Sequence, residues 1–318
     1  MKKFKITLLV LVFILSMTTL AMAQSEEDFM KNLTREGMMP EQLLQLSSDH
    51  LNEFDSNKFK VDMNMDIKTE IPKMDDSENA VVTKDVQNIK MNMTQEGVIK
   101  TPQTVYVKST SKVISSEEDI PAMTSEVFSD NNAMYMKMPG QEKWNKIDMN
   151  PFMKKMQEVT GNQTGNTGLS KDQIELFAPY TSFDENIIKD GKEYYVVNIK
   201  LSQDAFDKIY KEMFKSLSEG LGDMVTDIAN QDATAEEKID KEEFSKAMIG
   251  LFENMKMNIE YKMYIDKETK LYDSMDMIQK VEMNLGGTKT ETINNAHSTY
   301  YGFNEEVSFP VITTENVQ

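Results

Sequence analysis

The amino-acid sequence predicts an α+β fold in which one large curved antiparallel sheet carries helices against one face. Long segments alternate apolar and polar residues with a period of two, which is typical of strands with one buried face. Short turns join consecutive segments of this kind, and this favours antiparallel pairing. Stretches with helical periodicity precede and interrupt the strands. Because no change in composition marks a boundary, we expect residues 24–318 to form a single domain with a helical insert at about 150–255.

The first elements are a helix and a series of strands. A helix is expected from Pro40, since proline suits the first helical position, where its missing N–H needs no partner. In the segment 61–68 every odd position is apolar and every even position is polar, and 89–94 repeats this pattern. Further strands are expected at 104–113, 133–138 and 143–147.

The middle of the chain mixes helices with one strand. A short helix is expected at 152–159 and a brief helical or extended piece at 174–180, followed by a strand at 195–201. Ser202 can cap one further helix, and Asp240 can begin another. These last two are the predicted cover helices, and their apolar residues at helical spacing include Phe206, Tyr210, Met213, Phe244, Met248 and Phe252.

The last third of the chain returns to strands, expected at 257–265, 271–285 and 288–301. Turns are expected at 266–269 and 286–287. In the final strand, His297 has the same phase as Ile293 and Tyr301.

The N-terminal residues 1–23 have the layout of a cleavable signal peptide. Basic residues come first, an apolar run follows at 6–17, and Ala21 and Ala23 occupy the two positions that a signal peptidase reads. The run is shorter than the roughly 20 residues of a membrane-spanning helix. Gln24 stands where a lipoprotein would have cysteine. We therefore expect a secreted or extracytoplasmic protein of the cell envelope that is not a lipoprotein.

The composition is strongly acidic and contains no cysteine. The whole chain has a net charge of -18, and loss of the three lysines of the signal peptide leaves about -21. A surface of this sign repels nucleic acid and anionic membranes, so we expect no nucleic-acid partner and no more than a transient membrane contact. Without disulfides, the stability of the chain must come from its core.

Catalytic and metal-binding patterns are scarce. The chain has two histidines, His50 and His297, and a triad or a zinc site built on histidine would need partners around them that the sequence does not suggest. The acidic stretch 227–243 lacks the ligand spacing of an EF-hand loop. We expect no enzyme, no cofactor and no metal site among these residues.

Methionine is the unusual feature, with 27 residues, 24 of them after the signal peptide. Many are two positions apart, which places both side chains on the same side of a strand. These pairs are Met63/Met65, Met91/Met93, Met134/Met136, Met136/Met138, Met255/Met257 and Met275/Met277.

Three interpretations of the methionines remain open. They can form an ordinary core between sheet and helices, because methionine fills irregular gaps. They can line a cavity, since a flexible thioether wall accommodates ligands of varied shape. Clustered thioethers can also bind Cu(I), for which soft sulfur ligands are selective.

Three segments carry a resemblance to a known family. They are the hairpin at 140–147 with Trp144, the strand that passes directly into a helix at Ser202, and the C-terminal meander at 261–271 with 300–304. The order of these segments and their pattern of strands, turns and helix starts resemble those of the LolA/LppX superfamily, specifically its secreted Gram-positive-type members of unassigned function. The resemblance implies a half-open antiparallel barrel whose concave face is covered by helices and whose apolar cavity holds acyl chains.

We therefore expect a monomeric, non-enzymatic binding protein that holds a lipid, a lipoprotein acyl chain or another apolar ligand. The alternatives are an envelope interaction or structural protein with a filled core, and a Cu(I)-binding protein. The residues expected to line the cavity are Met63, Met65, Met91, Met93, Met134, Met136, Val197, Ile199, Met257, Ile259, Tyr261, Met275, Met277 and Met283.

Overall fold

The structure of the protein is a computed structural model. It describes residues 34–73, 83–101, 104–114, 120–130, 133–147, 169, 171–208, 250, 254–285 and 287–317. The predicted signal peptide, the predicted helix at 152–159 and the predicted helix from Asp240 lie outside these residues.

The described residues form one antiparallel sheet of twelve strands. The strands are β1 (Ser56–Lys73), β2 (Thr83–Lys100), β3 (Thr104–Ile114), β4 (Met123–Ser129), β5 (Met134–Lys137), β6 (Asn145–Ile147), β7 (Thr181–Phe183), β8 (Ile187–Lys189), β9 (Lys192–Leu201), β10 (Lys256–Asp266), β11 (Tyr272–Leu285) and β12 (Thr288–Tyr301). Their order across the sheet is β6-β5-β4-β3-β2-β1-β12-β11-β10-β9-β7, and β8 also pairs with β9. The sheet is open, and the predicted α+β class with one large antiparallel sheet is confirmed.

Strand pairing assigns every side chain of the sheet to one of two faces, because residues directly opposite each other in an antiparallel pair point to the same side. We call the side that carries Met63 the inner face and the other side the outer face. Met63 is paired with Met93 on β2 and with Ala296 on β12, and Ala296 is paired with Met277 on β11. The alternation of side chains between the inner and outer faces therefore continues without a break across β2, β1, β12 and β11.

Two helices pack on the inner face. Helix α1 (Pro40–Asn52) begins at the predicted proline and buries Leu43, Leu44 and Leu51 completely. Helix α2 (Lys171–Phe177) contributes Ile174 and Phe177, and continues into a short 3₁₀ helix at Ala178–Tyr180. All five side chains belong to one core cluster with the inner-face methionines.

Two buried serines connect α1 to the rest of the core. Ser47 Oγ accepts a hydrogen bond from the Tyr272 N–H at 2.8 Å, and Ser48 Oγ accepts one from the Leu169 N–H at 3.2 Å. Both serines are fully buried. The position of α1 on the sheet is thus set by hydrogen bonds to backbone groups as well as by leucine packing.

The C-terminal tail, residues 302–317, runs from the end of β12, in the interior of the sheet, to the edge that is formed by β6. Asn304 exchanges hydrogen bonds with the start of β1, donating its N–H to the Ser56 carbonyl at 2.9 Å. Further along, the Phe309 ring lies 6.0 Å from the ring of Phe128, an outer-face residue of β4. The tail ends beside β6, where the Trp144 N–H donates to the Asn316 carbonyl at 2.8 Å.

The sequence missed the strands β4, β7 and β8, two of which are three residues long. The predicted turn at 266–269 is present, and Asp266 Oδ1 accepts hydrogen bonds from the N–H groups of Glu268 and Thr269 at 2.8 and 3.1 Å. Short strands and the irregular β4 carry too few alternating residues for a period-two signal to be visible.

Candidate ligand-binding face

The methionines of β1 and β2 form two cross-strand pairs on the inner face. Met63 lies directly opposite Met93, and Met65 lies directly opposite Met91. All four side chains are buried, with exposed fractions between 3% and 8%. Because the strands are regular here, the sequence spacing of two residues becomes a compact patch of four thioethers.

A second apolar wall is formed by β9, β10 and β11. Tyr261 on β10 lies between Ile199 on β9 and Met277 on β11, and the row continues to Ala296 on β12. Neighbouring rows place Met263 opposite Met275 and Met257 opposite Val281. The inner face is therefore apolar on both sides of β12.

All fourteen predicted cavity residues lie on the inner face according to the strand pairing. Eleven of them belong to one buried cluster, and the partly buried Met283 packs against it. Met134 and Met136 lie on β5 near the far edge of the sheet and outside this cluster. The role of all fourteen residues as ligand contacts stays a prediction.

Only part of the two predicted cover helices lies in the described residues. Residues 203–208 are helical, and the Phe206 N–H donates to the Ser202 carbonyl at 3.0 Å, as expected for a helix that starts there. Phe206 is buried in the core cluster. Tyr210, Met213, Phe244, Met248 and Phe252 lie outside the described residues.

Strand β12 gives the inner face a polar centre that the sequence analysis missed. Its inward residues include Thr292, Asn294 and Ser298, each no more than 3% exposed. Asn294 lies directly opposite Gln279 on β11, which is 1% exposed. The available signal was Gln279 itself, which interrupts the inward phase of Met275, Met277, Val281 and Met283.

The outer face carries an ionic network around Asp184, which follows β7. Asp184 Oδ2 accepts hydrogen bonds from Lys262 Nζ at 2.9 Å and from Asn198 Nδ2 at 3.1 Å. The hydrogen bond from Lys262, followed by that from the Glu185 N–H, lowers the pKa of Asp184 to about 2. These contacts join the segment after β7 to β9 and β10.

The hydroxyl group of Tyr195 on β9 is hydrogen-bonded to the turn that precedes α1. It donates to Glu36 Oε1, and Lys270 Nζ donates to Glu36 Oε2 at 3.0 Å. Burial, followed by the bond to Glu36, raises the pKa of Tyr195 to about 12. Because the same bond lowers the pKa of Glu36, the contact favours an ionised Glu36 beside a neutral tyrosine.

The two histidines occupy different surroundings. His50 on α1 has its Nδ1 3.2 Å from the Thr269 carbonyl, and His297 on the outer face has its Nδ1 2.6 Å from Asp276 Oδ1. Asp276 also accepts a hydrogen bond from the Tyr264 hydroxyl at 2.5 Å. Within the described ranges, no three histidine or acidic side chains are grouped so that they could hold a metal ion.

One family model matches most of the chain. The model of a family of unknown function, DUF6612, matches residues 39–311. The protein belongs to DUF6612. The DUF6612 match begins immediately before α1 and ends in the C-terminal tail, so it includes every strand of the sheet. No curated protein matches the sequence.

Several solved structures are similar to this DUF6612 protein at low sequence identity. LprF from Mycobacterium bovis is 10% identical, with 88% of this chain and 99% of that chain covered and a TM-score of 0.31. The lipoprotein LppX from Mycobacterium tuberculosis is 9% identical, with 85% and 97% covered and a TM-score of 0.35. A β-barrel-like DUF1849 protein from Brucella abortus is 8% identical, with 78% and 100% covered and a TM-score of 0.21. At such scores the likeness establishes no common function, and the fold assignment rests on the strand order itself.

In the part of the chain that the structure describes, no helix combines the length and apolar character needed to cross a membrane.

Proposed function

We propose that this protein is a non-enzymatic carrier that holds a lipid, an acyl chain or another apolar ligand against the inner face of its sheet. The observation that carries the proposal is the set of methionines that pair across strands on that face, Met63 with Met93, Met65 with Met91, and Met263 with Met275. Methionine has three rotatable bonds and a polarisable sulfur, so such a wall adapts to chains of different shape.

The size of the apolar wall supports the same proposal. It continues from β9 to β2 with one polar interruption at β12, so an extended chain can lie across several strands. Burial contributes roughly 0.8 kcal/mol for each CH₂ removed from water, from which the cost of immobilising the chain must be subtracted. A long acyl chain therefore gains enough to bind without any charged contact.

Lipid uptake tests the proposal directly. We expect delipidated protein, incubated with a bacterial membrane lipid extract and repurified, to carry lipid that native mass spectrometry detects. An unchanged mass after this incubation would contradict the carrier function.

Ala296 offers a variant that distinguishes a container from a filled core. It lies on the inner face between Met63 and Met277. Where a ligand space exists, Ala296→Phe should fold with wild-type stability and lose lipid uptake. Where the core is filled, as the structural-protein alternative requires, the added ring should destabilise the fold by about 1–3 kcal/mol.

Asn295→Phe is the matched control, because the exposed Asn295 is the adjacent residue on the outer face. It adds the same ring to the same strand without entering the core. We expect it to keep both stability and lipid uptake, so that loss of uptake in the control would indicate a general effect on the strand.

Cu(I) binding is the second candidate, favoured by the patch of Met63, Met65, Met91 and Met93. Soft thioethers are ligands that Cu(I) prefers. Titration of the protein with Cu(I) in competition with bathocuproine disulfonate separates the two functions. A carrier should not compete with the chelator, whereas tight binding that the double variant Met63→Leu/Met93→Leu abolishes would establish a copper site.

The proposed carrier acts outside the cytoplasm as one domain of residues 24–318. The supporting observations are the signal-like segment 1–23 and the absence of a cysteine at Gln24. N-terminal sequencing of protein recovered outside the cytoplasm of an expressing bacterium should begin at Gln24, and thermal unfolding should show a single transition. A protein that retained residues 1–23 would contradict cleavage.

A further inference from the structure

The central part of strand β12 has the reverse of the usual distribution of polar and apolar residues. Between residues 292 and 298 its inward side chains are those of Thr292, Asn294, Ala296 and Ser298, while the larger Ile293 is 41% exposed on the outer face. The inward Tyr300 lies beyond this stretch and packs against the core cluster. A shift of one residue would exchange the two sets, because side chains alternate between faces. The observed pairing to β1 and β11 keeps the polar set inside, where burial is unfavourable unless something compensates.

The inward side chains at 292–298 of β12 are also short. They are shorter than the methionines on either side, with Met63 and Met65 on β1 and Met275 and Met277 on β11. The inner face therefore has a shallow polar strip along its centre with taller apolar walls on both sides. This profile suits an elongated molecule that is apolar along its sides and polar at one point.

Asn294 is the residue in this strip whose hydrogen bonding is incomplete. Its Nδ2 donates to Gln279 Oε1 at 3.5 Å, and Gln279 Nε2 in turn contacts Met257 Sδ at 3.6 Å. Asn294 itself is 1% exposed, and in the described part of the chain nothing donates to its Oδ1. Buried acceptors of this kind nearly always have a partner in folded proteins.

The partner that fits Oδ1 is an uncharged donor. The buried polar residues in the described ranges include one ionisable carboxyl, Asp266, which is the last residue of β10. A ligand with a full charge at Asn294 would thus be buried without a counter-charge, which is strongly unfavourable. A hydroxyl or an amide N–H can instead donate to Oδ1 at little desolvation cost.

From these observations we infer that Asn294, supported by Gln279, is the polar anchor of the ligand site, and that the natural ligand is a long-chain molecule bearing an uncharged hydroxyl or amide group. Asn294 Oδ1 accepts the hydrogen bond of that group, and the methionines on β1 and β11 bury the apolar chain on either side. The inference rests on the proposed carrier function and specifies the class of molecule carried.

Two probes that differ in one hydrogen-bond donor test the anchor. Oleyl alcohol carries a hydroxyl donor, and its methyl ether has the same chain without the donor. Each would displace diphenylhexatriene, a fluorescent apolar probe that itself has no hydrogen-bonding groups. Wild-type protein should bind the alcohol about tenfold more tightly than the ether, as expected for one buried hydrogen bond to an otherwise unpaired acceptor.

The double variant Gln279→Met/Asn294→Leu removes both amides and replaces them with apolar groups of similar size. It should lose the preference for the alcohol over the ether. Because it leaves no amide unpaired, its melting temperature without ligand should be no lower than that of the wild type. Asn295→Leu, on the outer face, is the control and should keep the preference.

The outcomes separate the anchor from the carrier function. If the wild type binds diphenylhexatriene and both probes but does not distinguish alcohol from ether, the anchor is wrong and the carrier function stands. If neither the dye nor the probes bind, the proposed function itself fails. The comparison of the two probes on the wild type decides the anchor even where the double variant does not fold.

Discussion

Gly97 on β2 shows how a single residue shapes the packing of the sheet. It lies opposite Phe59 on β1, and a Cβ atom added at this position would be 2.4 Å from Phe59 Cζ and 2.6 Å from the Tyr106 carbonyl oxygen. The aromatic ring thus occupies the space that a side chain at 97 would need. Gly97→Ala should lower the free energy of unfolding by about 1–3 kcal/mol, measured by chemical denaturation.

Gly250→Ala is the control for that substitution. It lies in a helical position, and a Cβ there would meet no atom of the described residues within 4 Å. Alanine is favoured over glycine in helices, so this variant should be neutral or slightly stabilising. Equal destabilisation by both variants would contradict the steric explanation at Gly97.

Asp184 makes stability depend on pH in the acid range. Because Lys262 and the Glu185 N–H lower its pKa to about 2, folding favours the ionised form relative to an unfolded value near 3.9. The contribution is therefore complete above about pH 4 and is lost as the pH falls towards about 2. Asp184→Asn should reduce stability at neutral pH and flatten the fall between these values, as measured by denaturation at a series of pH values.

Asp66→Asn on β1 serves as the control for this pH experiment, since Asp66 is an exposed residue of the outer face. Relative to this control, Asp184→Asn should show the shallower loss of stability between about pH 4 and pH 2. An unchanged slope in Asp184→Asn would show that another carboxyl is responsible.

Contacts between individual residues were the hardest feature to predict from the sequence. The alternation correctly placed Met63, Met65, Met91 and Met93 on one face, because a strand has only two sides. It could not reveal the hydrogen bond between Asn294 and Gln279, since this depends on which residues of two strands lie opposite each other. Pairing of this kind is a tertiary property that a period within one strand does not contain.

At the scale of elements, helix α1 depends on hydrogen bonds from its middle turn. Ser47 is fully buried and accepts the Tyr272 N–H at the start of β11. Ser47→Ala removes this buried hydrogen bond to the backbone of β11 and should lower the free energy of unfolding by about 1 kcal/mol. Asn52→Ala, at the exposed end of the same helix, should have a small effect by the same measurement.

The range of strand β12 was predicted correctly, but the sequence did not decide which of its two phases is buried. The phase of Ile293, His297 and Tyr301 lies on the outer face, and the phase of Asn294, Ala296 and Tyr300 lies on the inner face. Burial of the alternate phase follows from its neighbours, because β1 and β11 have strong apolar phases that fix the inner face. A strand with weak alternation takes its orientation from stronger strands beside it.

At the scale of the whole molecule, the C-terminal tail joins the end of the chain to β4 and β6. Trp144 is the single tryptophan and is 4% exposed, so its fluorescence reports on this contact. A chain that ends at residue 305 lacks Phe309 and Asn316. It should show red-shifted tryptophan emission and stronger quenching by acrylamide, while lipid uptake at the inner face of β9 to β2 should persist.

Unchanged emission after the truncation would mean that the tail does not protect Trp144. The single substitution Phe309→Ala is the milder comparison, because it removes the ring beside Phe128 but keeps the backbone bond to Trp144. It should give an intermediate shift in emission.

The global architecture was accessible from sequence because most strands are long and joined by short turns. Predicted segments correspond to β1, β2, β3, β10, β11 and β12, and together these form the central part of the sheet. The strand order at the edges and the contact between the tail and β6 could not be predicted, since they join residues far apart in the chain without any local pattern.

The lengths of the strands have a consequence for self-association. The outermost strands β6 and β7 of the described sheet are three residues long, whereas β1 and β2 in its interior are eighteen residues long. An exposed strand edge is a template on which a second copy can add, and it recruits more strongly the longer it is. The two end strands of the described sheet thus present little edge for polymerisation into fibrils. The longer edge in the described residues is at 83–89 of β2, which extends past the end of its pairing with β3, and a second copy would add there first.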